Sequence, residues 1–115
     1  MYEQYLPGIN VEEGLGRLNG NKKLYFMLLQ RFNGEELLQE LEAAVKENDF
    51  EKAVFKAHTL KGLAANLSMP QLQEISLKIE TAAKANINPD EFLSLLKDEL
   101  GKVLVAIEEL IASEA

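Results

Sequence analysis

The chain has 115 residues, with 12 Lys and Arg against 19 Asp and Glu for a formal charge of −7, and it has no cysteine. That length sets the expectation of one domain, 1–115, able to bury an apolar core without metal or disulfide support. The missing cysteines exclude thiol catalysis, disulfides, iron–sulfur clusters and cysteine-ligated zinc.

An acidic balance with no tract of clustered Lys and Arg argues against a surface built for nucleic acid or anionic lipid. No apolar run approaches the ~20 residues that cross a bilayer, and the start MYEQYLPGIN lacks the basic cluster of a signal peptide. The expectation is therefore no nucleic-acid partner, no membrane insertion of this segment and a cytoplasmic location, including as the cytoplasmic part of a membrane-anchored protein.

Residues 1–9 read as a strap in which Tyr2, Tyr5 and Leu6 cover one end of the fold. Beyond it the chain is rich in Leu, Ala, Glu and Lys, and helices are predicted over 10–18, 21–32, 34–47, 49–67, 70–85 and 89–113. Five starts carry the capping-box pattern, an Asn or Ser followed three residues later by Glu or Gln: Asn10 with Glu13, Asn33 with Glu36, Asn48 with Glu51, Ser68 with Gln71, and Asn88 with Glu91. Pro89 suits the first helical position, and Asn19-Gly20-Asn21 breaks the chain between the first two helices. Gly14 and Gly16 each cost about 1 kcal/mol against alanine inside a helix, so the first helix depends on packing.

Leu72, Ile75, Ile79 and Ala82 or Ala83 form one apolar stripe, and Phe92, Leu95, Leu96, Leu100, Val103, Leu104, Ile107, Leu110 and Ile111 another. Amphipathic helices joined by short turns bury such stripes against each other. The predicted fold is all-α, an antiparallel four-helix bundle over 10–113 with an additional short N-terminal helix. No stripe is left over, so a monomer is expected.

The single histidine, His58, falls inside the predicted helix 49–67. At ~100° per residue, Ala53, Leu60, Ala64 and Leu67 cluster on the side opposite His58, while Val54, Lys61, Gly62 and Ala65 lie within about 60° of it. The imidazole is thus predicted to face solvent beside one cation, one missing side chain and two small apolar residues. Gly62 weakens the helix but clears space for something large to approach. Lys61 offers a point charge suited to phosphate oxygens. No Asp or Glu occurs between Lys52 and Gln73, whereas Lys52, Lys56 and Lys61 do, which predicts an electropositive island around the ring. A neutral imidazole with one nitrogen held as N–H and the other turned outward is a competent nucleophile.

The run Ala57-His58-Thr59-Leu60-Lys61-Gly62-Leu63-Ala64-Ala65-Asn66-Leu67 resembles the signature of histidine-containing phosphotransfer (HPt) domains of multistep two-component phosphorelays. Leu72, Ile75, Ile79 and Glu80 are similar to the family's next helix, and the segments 8–15 and 19–32 to its N-terminal part. The resemblance implies a phosphorelay intermediate. In it His58 accepts a phosphoryl group from the phospho-aspartate of one receiver domain and passes it to the aspartate of another, in a response regulator or a hybrid histidine kinase. It further implies that Lys61 stabilises the phosphoryl oxygens, that Gly62 provides access, and that Glu80 orients the imidazole. Val54 and Ala65 become the centre of the docking surface. No cofactor is implied for the chain itself, because the Mg²⁺ belongs to the receiver. Ser68 departs from the glycine many relatives have at the end of the phosphorylated helix.

A histidine kinase is disfavoured, since Thr59 replaces the acid that follows the histidine in that family and no phosphate-binding loop or nucleotide-binding domain is present. A Glu-x-x-His metal site fails because Phe55 and Val54 occupy the third and fourth positions before His58. The alternative left standing is a helical adaptor that binds a receiver or a partner helix without being phosphorylated.

Overall fold

The computed structural model of the chain describes residues 5–6 and 8–113. Six helices follow a two-stranded antiparallel ladder: β1 (Tyr5–Leu6), β2 (Ile9–Asn10), α1 (Val11–Arg17), α2 (Lys22–Gln30), α3 (Gly34–Lys46), α4 (Phe50–Asn66), α5 (Pro70–Lys84) and α6 (Asp90–Ala112). Each helix falls within two residues of its predicted span. The ladder was not foreseen, because two residues per strand leave no readable alternation. The expectation that Tyr2, Tyr5 and Leu6 cover one end of the bundle concerns side chains outside what the structure describes.

Helices α3 to α6 form the bundle, each packing against the next and α6 closing back on α3. The most extensive pairing is between α4 and α5. The buried face of α4 consists of Ala53, Ala57, Leu60 and Ala64, and small side chains on that face let a neighbouring backbone come close. Across from it α5 buries Leu72, Ser76, Ile79, Glu80, Ala82 and Ala83; Ser76 satisfies its hydroxyl by donating to the Leu72 carbonyl at 2.7 Å. In α6 the stripe shifts slightly from expectation: Leu95 is 49% exposed, and Leu93 takes its place in the core. No helix among the described residues is long and apolar enough to cross a membrane.

Helices α1, α3, α4 and α5 end with one device. Asn19, Asn48, Ser68 and Asn86 all adopt left-handed backbone, with φ between 55° and 59°. The following N–H in each case returns to a carbonyl of the last turn: Gly20 to Leu15, Asp49 to Ala44, Met69 to Ala64 and Ile87 to Ala82, at 2.8–2.9 Å. This is the Schellman closure. Two predicted capping boxes are therefore corrected. Asn48 ends α3, and Asp49 caps α4 by accepting from the Lys52 N–H at 3.1 Å. Ser68 ends α4, and α5 begins after Met69 with no side-chain cap. Of the other boxes, Asn10 accepts from Glu13 N–H, Asn33 makes no side-chain cap, and Asn88 accepts from Asp90 N–H.

The N-terminal elements brace the α4–α5 corner. Asn10 N–H donates to the Ser68 carbonyl at 2.8 Å, and the Ser68 hydroxyl donates to Glu13 at 3.0 Å. Buried Tyr25 on α2 donates to the Leu67 carbonyl at 2.9 Å, and burial first, then the nearby charge of Glu13, pushes its phenol up to about 12. A methyl group at Gly14 would overlap the Tyr25 ring. That close approach is the packing on which the glycine-weakened α1 depends.

Candidate functional site

His58 lies at the middle of α4 with its side chain 65% exposed, while Ala53, Leu60, Ala64 and Leu67 are all buried on the opposite side. Helical periodicity alone accounts for this, because any residue about half a turn from the alanine-rich seam must face water.

The partner of the ring comes from the neighbouring helix. Glu80 follows core residue Ile79 on α5, so its stem is drawn into the bundle and its carboxylate is only 5% exposed, yet it reaches back to the surface of α4. Its Oε2 lies 3.0 Å from His58 Nδ1, and its Oε1 accepts from Lys61 Nζ at 2.7 Å. Lys84, one turn further along α5, places its Nζ 3.4 Å from Oε2. Burial pushes the Glu80 carboxyl up, but hydrogen bonds from Lys61 and His58, the charge of Lys61 and the bond from Lys84 outweigh it and hold the group below the ordinary carboxylate range.

An ionised carboxylate only accepts hydrogen bonds, so the proton of the neutral imidazole resides on Nδ1. The lone pair then sits on Nε2, the nitrogen directed away from Glu80. One turn further along α4, a Cβ built on Gly62 meets nothing within 4 Å. Val54, one turn before His58, and Ala65, two turns after it, are both half-buried, with Val54 packed against the core.

Of the six residues expected at the site, His58, Lys61 and Glu80 meet through their side chains, while Val54, Gly62 and Ala65 share the helix of His58 without a polar contact to it; the electropositive island needs correction. Lys56 is tied to Glu40 on α3 at 3.1 Å, and Lys61 is tied to Glu80. The charge counted along the sequence omits carboxylates that the bundle delivers from other helices. Two residues at the site escaped the sequence reading. Phe55, 66% exposed and one turn before His58, adds apolar surface beside the ring. Lys84 was signalled only by its four-residue spacing from Glu80.

Comparison with known proteins agrees with this geometry. The family model described as Hpt domain matches residues 31–111. The crystal structure of the HPt domain from an Hpt sensor hybrid histidine kinase of Shewanella is similar in fold, with a TM-score of 0.83, 23% sequence identity, and coverage of 95% of this chain and 97% of that one. No curated protein matches. Members of the matched family carry phosphoryl groups and are not kinases. With that match spanning most of its length and an outward-facing histidine at its centre, the chain belongs to the Hpt domains, the phosphotransfer intermediates of phosphorelays.

Proposed function

We propose that His58 is the phosphoryl acceptor and that Nε2 is the atom that carries the group. The observation supporting this is the contact between Nδ1 and the Glu80 carboxylate, which leaves Nε2 as the free nucleophile. The Nε2 lone pair attacks the phosphorus of a receiver's aspartyl phosphate. An N–P bond forms, the P–O bond to the aspartyl oxygen breaks, and its electron pair leaves with the carboxylate. The ring keeps its Nδ1 proton, and the positive charge it acquires is balanced by Glu80. Transfer to a second receiver is the same step reversed.

In this reading Lys61 moves from Glu80 to the phosphoryl oxygens, Gly62 leaves room for the receiver backbone, and Val54 and Ala65 form part of the docked surface. The chain supplies no cofactor and has no ATP site or kinase activity of its own; the receiver brings the Mg²⁺ that neutralises the phosphoryl oxygens. The domain spans the chain and works as a monomer in the cytoplasm, free or tethered to a hybrid kinase.

Incubation with a receiver domain phosphorylated in the presence of Mg²⁺ tests it. Label should appear on the chain, survive base, be lost in acid and be absent from His58→Gln. Binding without label would mark the chain as a helical adaptor instead.

A further inference from the structure

Glu80 serves three donors with two oxygens: Lys61 on Oε1, and both His58 Nδ1 and Lys84 on Oε2. Two of these donors take part in phosphoryl transfer as proposed above, and the inference rests on that reading. A phosphoryl group on Nε2 lies across the ring from Glu80, so in that reading the Lys61 ammonium is drawn from the carboxylate toward the phosphoryl oxygens. When Lys61 leaves, the buried carboxylate loses its shortest contact, and an underpaired buried charge is costly.

Lys84 is placed to cover that loss. It belongs to α5, as Glu80 does, and its one-turn spacing holds it beside the carboxylate however α4 is engaged. It meets the same oxygen as His58 Nδ1, and a carboxylate oxygen has lone pairs for both. Its own side chain is largely exposed, so as an isolated surface pair it would contribute little. The burial of its partner gives it leverage.

We propose that Lys84 is a positioning residue: it keeps Glu80 paired while Lys61 is at the phosphoryl group, so that the imidazole retains its acceptor throughout the transfer. Lys84 does not touch the phosphoryl group. Its effect passes through Glu80 alone.

The test compares the rate of His58 phosphorylation from a receiver domain loaded with acetyl phosphate and Mg²⁺ in the wild-type chain, Lys84→Met, Lys84→Arg, Glu80→Gln and the double variant Lys84→Met/Glu80→Gln. Lys84→Met is expected to slow phosphorylation about fivefold, and Lys84→Arg to restore most of the rate. In the Glu80→Gln background Lys84→Met is expected to change nothing further, because a neutral amide needs no counter-ion. Wild-type rates in Lys84→Met would overturn the inference, as would equal slowing in both backgrounds, which would mark Lys84 as a steering charge for the receiver. An unlabelled wild-type chain would remove the functional reading itself, whereas a labelled wild type with an indifferent Lys84→Met removes only the role of Lys84.

Discussion

His58 Nδ1 and Glu80 Oε2 stand 3.0 Å apart although 22 residues separate them in the sequence. The contact fixes the tautomer of the ring only while residue 80 is a pure acceptor. Glu80→Gln offers an amide that can flip its NH₂ toward Nδ1, so both tautomers become populated. The ¹⁵N chemical shifts of the two ring nitrogens, distinct in the wild type, should move toward each other, and phosphorylation should slow by roughly tenfold.

Acid should loosen the same network. Glu80 is held below its ordinary titration range in the folded chain, so folded protein binds fewer protons than unfolded protein in acid. The stability it contributes is fully present above the ordinary carboxylate pKa and is lost as pH falls from there through the folded value. As pH falls through and below the ordinary carboxylate range, the wild type should therefore lose more stability than Glu80→Gln, as measured by denaturant unfolding.

Gly62 and the receiver are expected to respond in opposite senses to substitution. Open space around its Cβ means that Gly62→Ala should stabilise the isolated chain by about 1 kcal/mol in thermal unfolding. Gly62→Gln should fold as well and yet weaken receiver binding in calorimetry, because the obstruction exists only in the complex.

Two glycines of α1 should behave differently. Alanine at Gly16 meets nothing and gains the helix-propensity term of about 1 kcal/mol. Alanine at Gly14 strikes the buried Tyr25 ring, whose hydroxyl is anchored to the Leu67 carbonyl, and should destabilise by about 1–3 kcal/mol. Urea midpoints of the two variants should lie on opposite sides of the wild type.

Ser68 combines an unfavourable backbone with a favourable side chain. Its φ of 59° costs a non-glycine residue about 1 kcal/mol, while its hydroxyl joins Glu13 and Arg17. Ser68→Gly should be nearly neutral, because strain relief offsets the lost hydrogen bonds. Ser68→Ala should lose the bonds and keep the strain, ending about 1 kcal/mol below the glycine variant in chemical unfolding.

The helices and the outward histidine were legible because both follow from spacing, which is a property of the local chain. The helix junctions were less so. Asn19, Asn48 and Asn86 belong to a residue type that serves both as an N-cap and as a left-handed helix terminator, and only the observed backbone separates the two uses. Ser68 shows the same ambiguity, compounded by its use in place of glycine. Leu95 and Leu93 differ by a fraction of a turn at the edge of a wide stripe, so periodicity could not rank them. Glu80 was identified through the family pattern. Its burial depends on how closely α5 approaches α4, and no window of sequence contains that distance. Lys84 resembled any solvated lysine in a last helical turn.

The alanines on the inner side of α4 have a bearing on reactivity as well as on folding. Their short side chains act as a thin spacer, and the reach of one carboxylate from α5 to a ring on its neighbour is gauged by that thickness. Exchange of Ala57 for a bulkier hydrocarbon would cost about 1–3 kcal/mol in overpacking and leave every polar group in the sequence, yet the acid and the ring would part company. Apolar bulk at a position that never meets a partner would thereby govern which nitrogen faces the outside world.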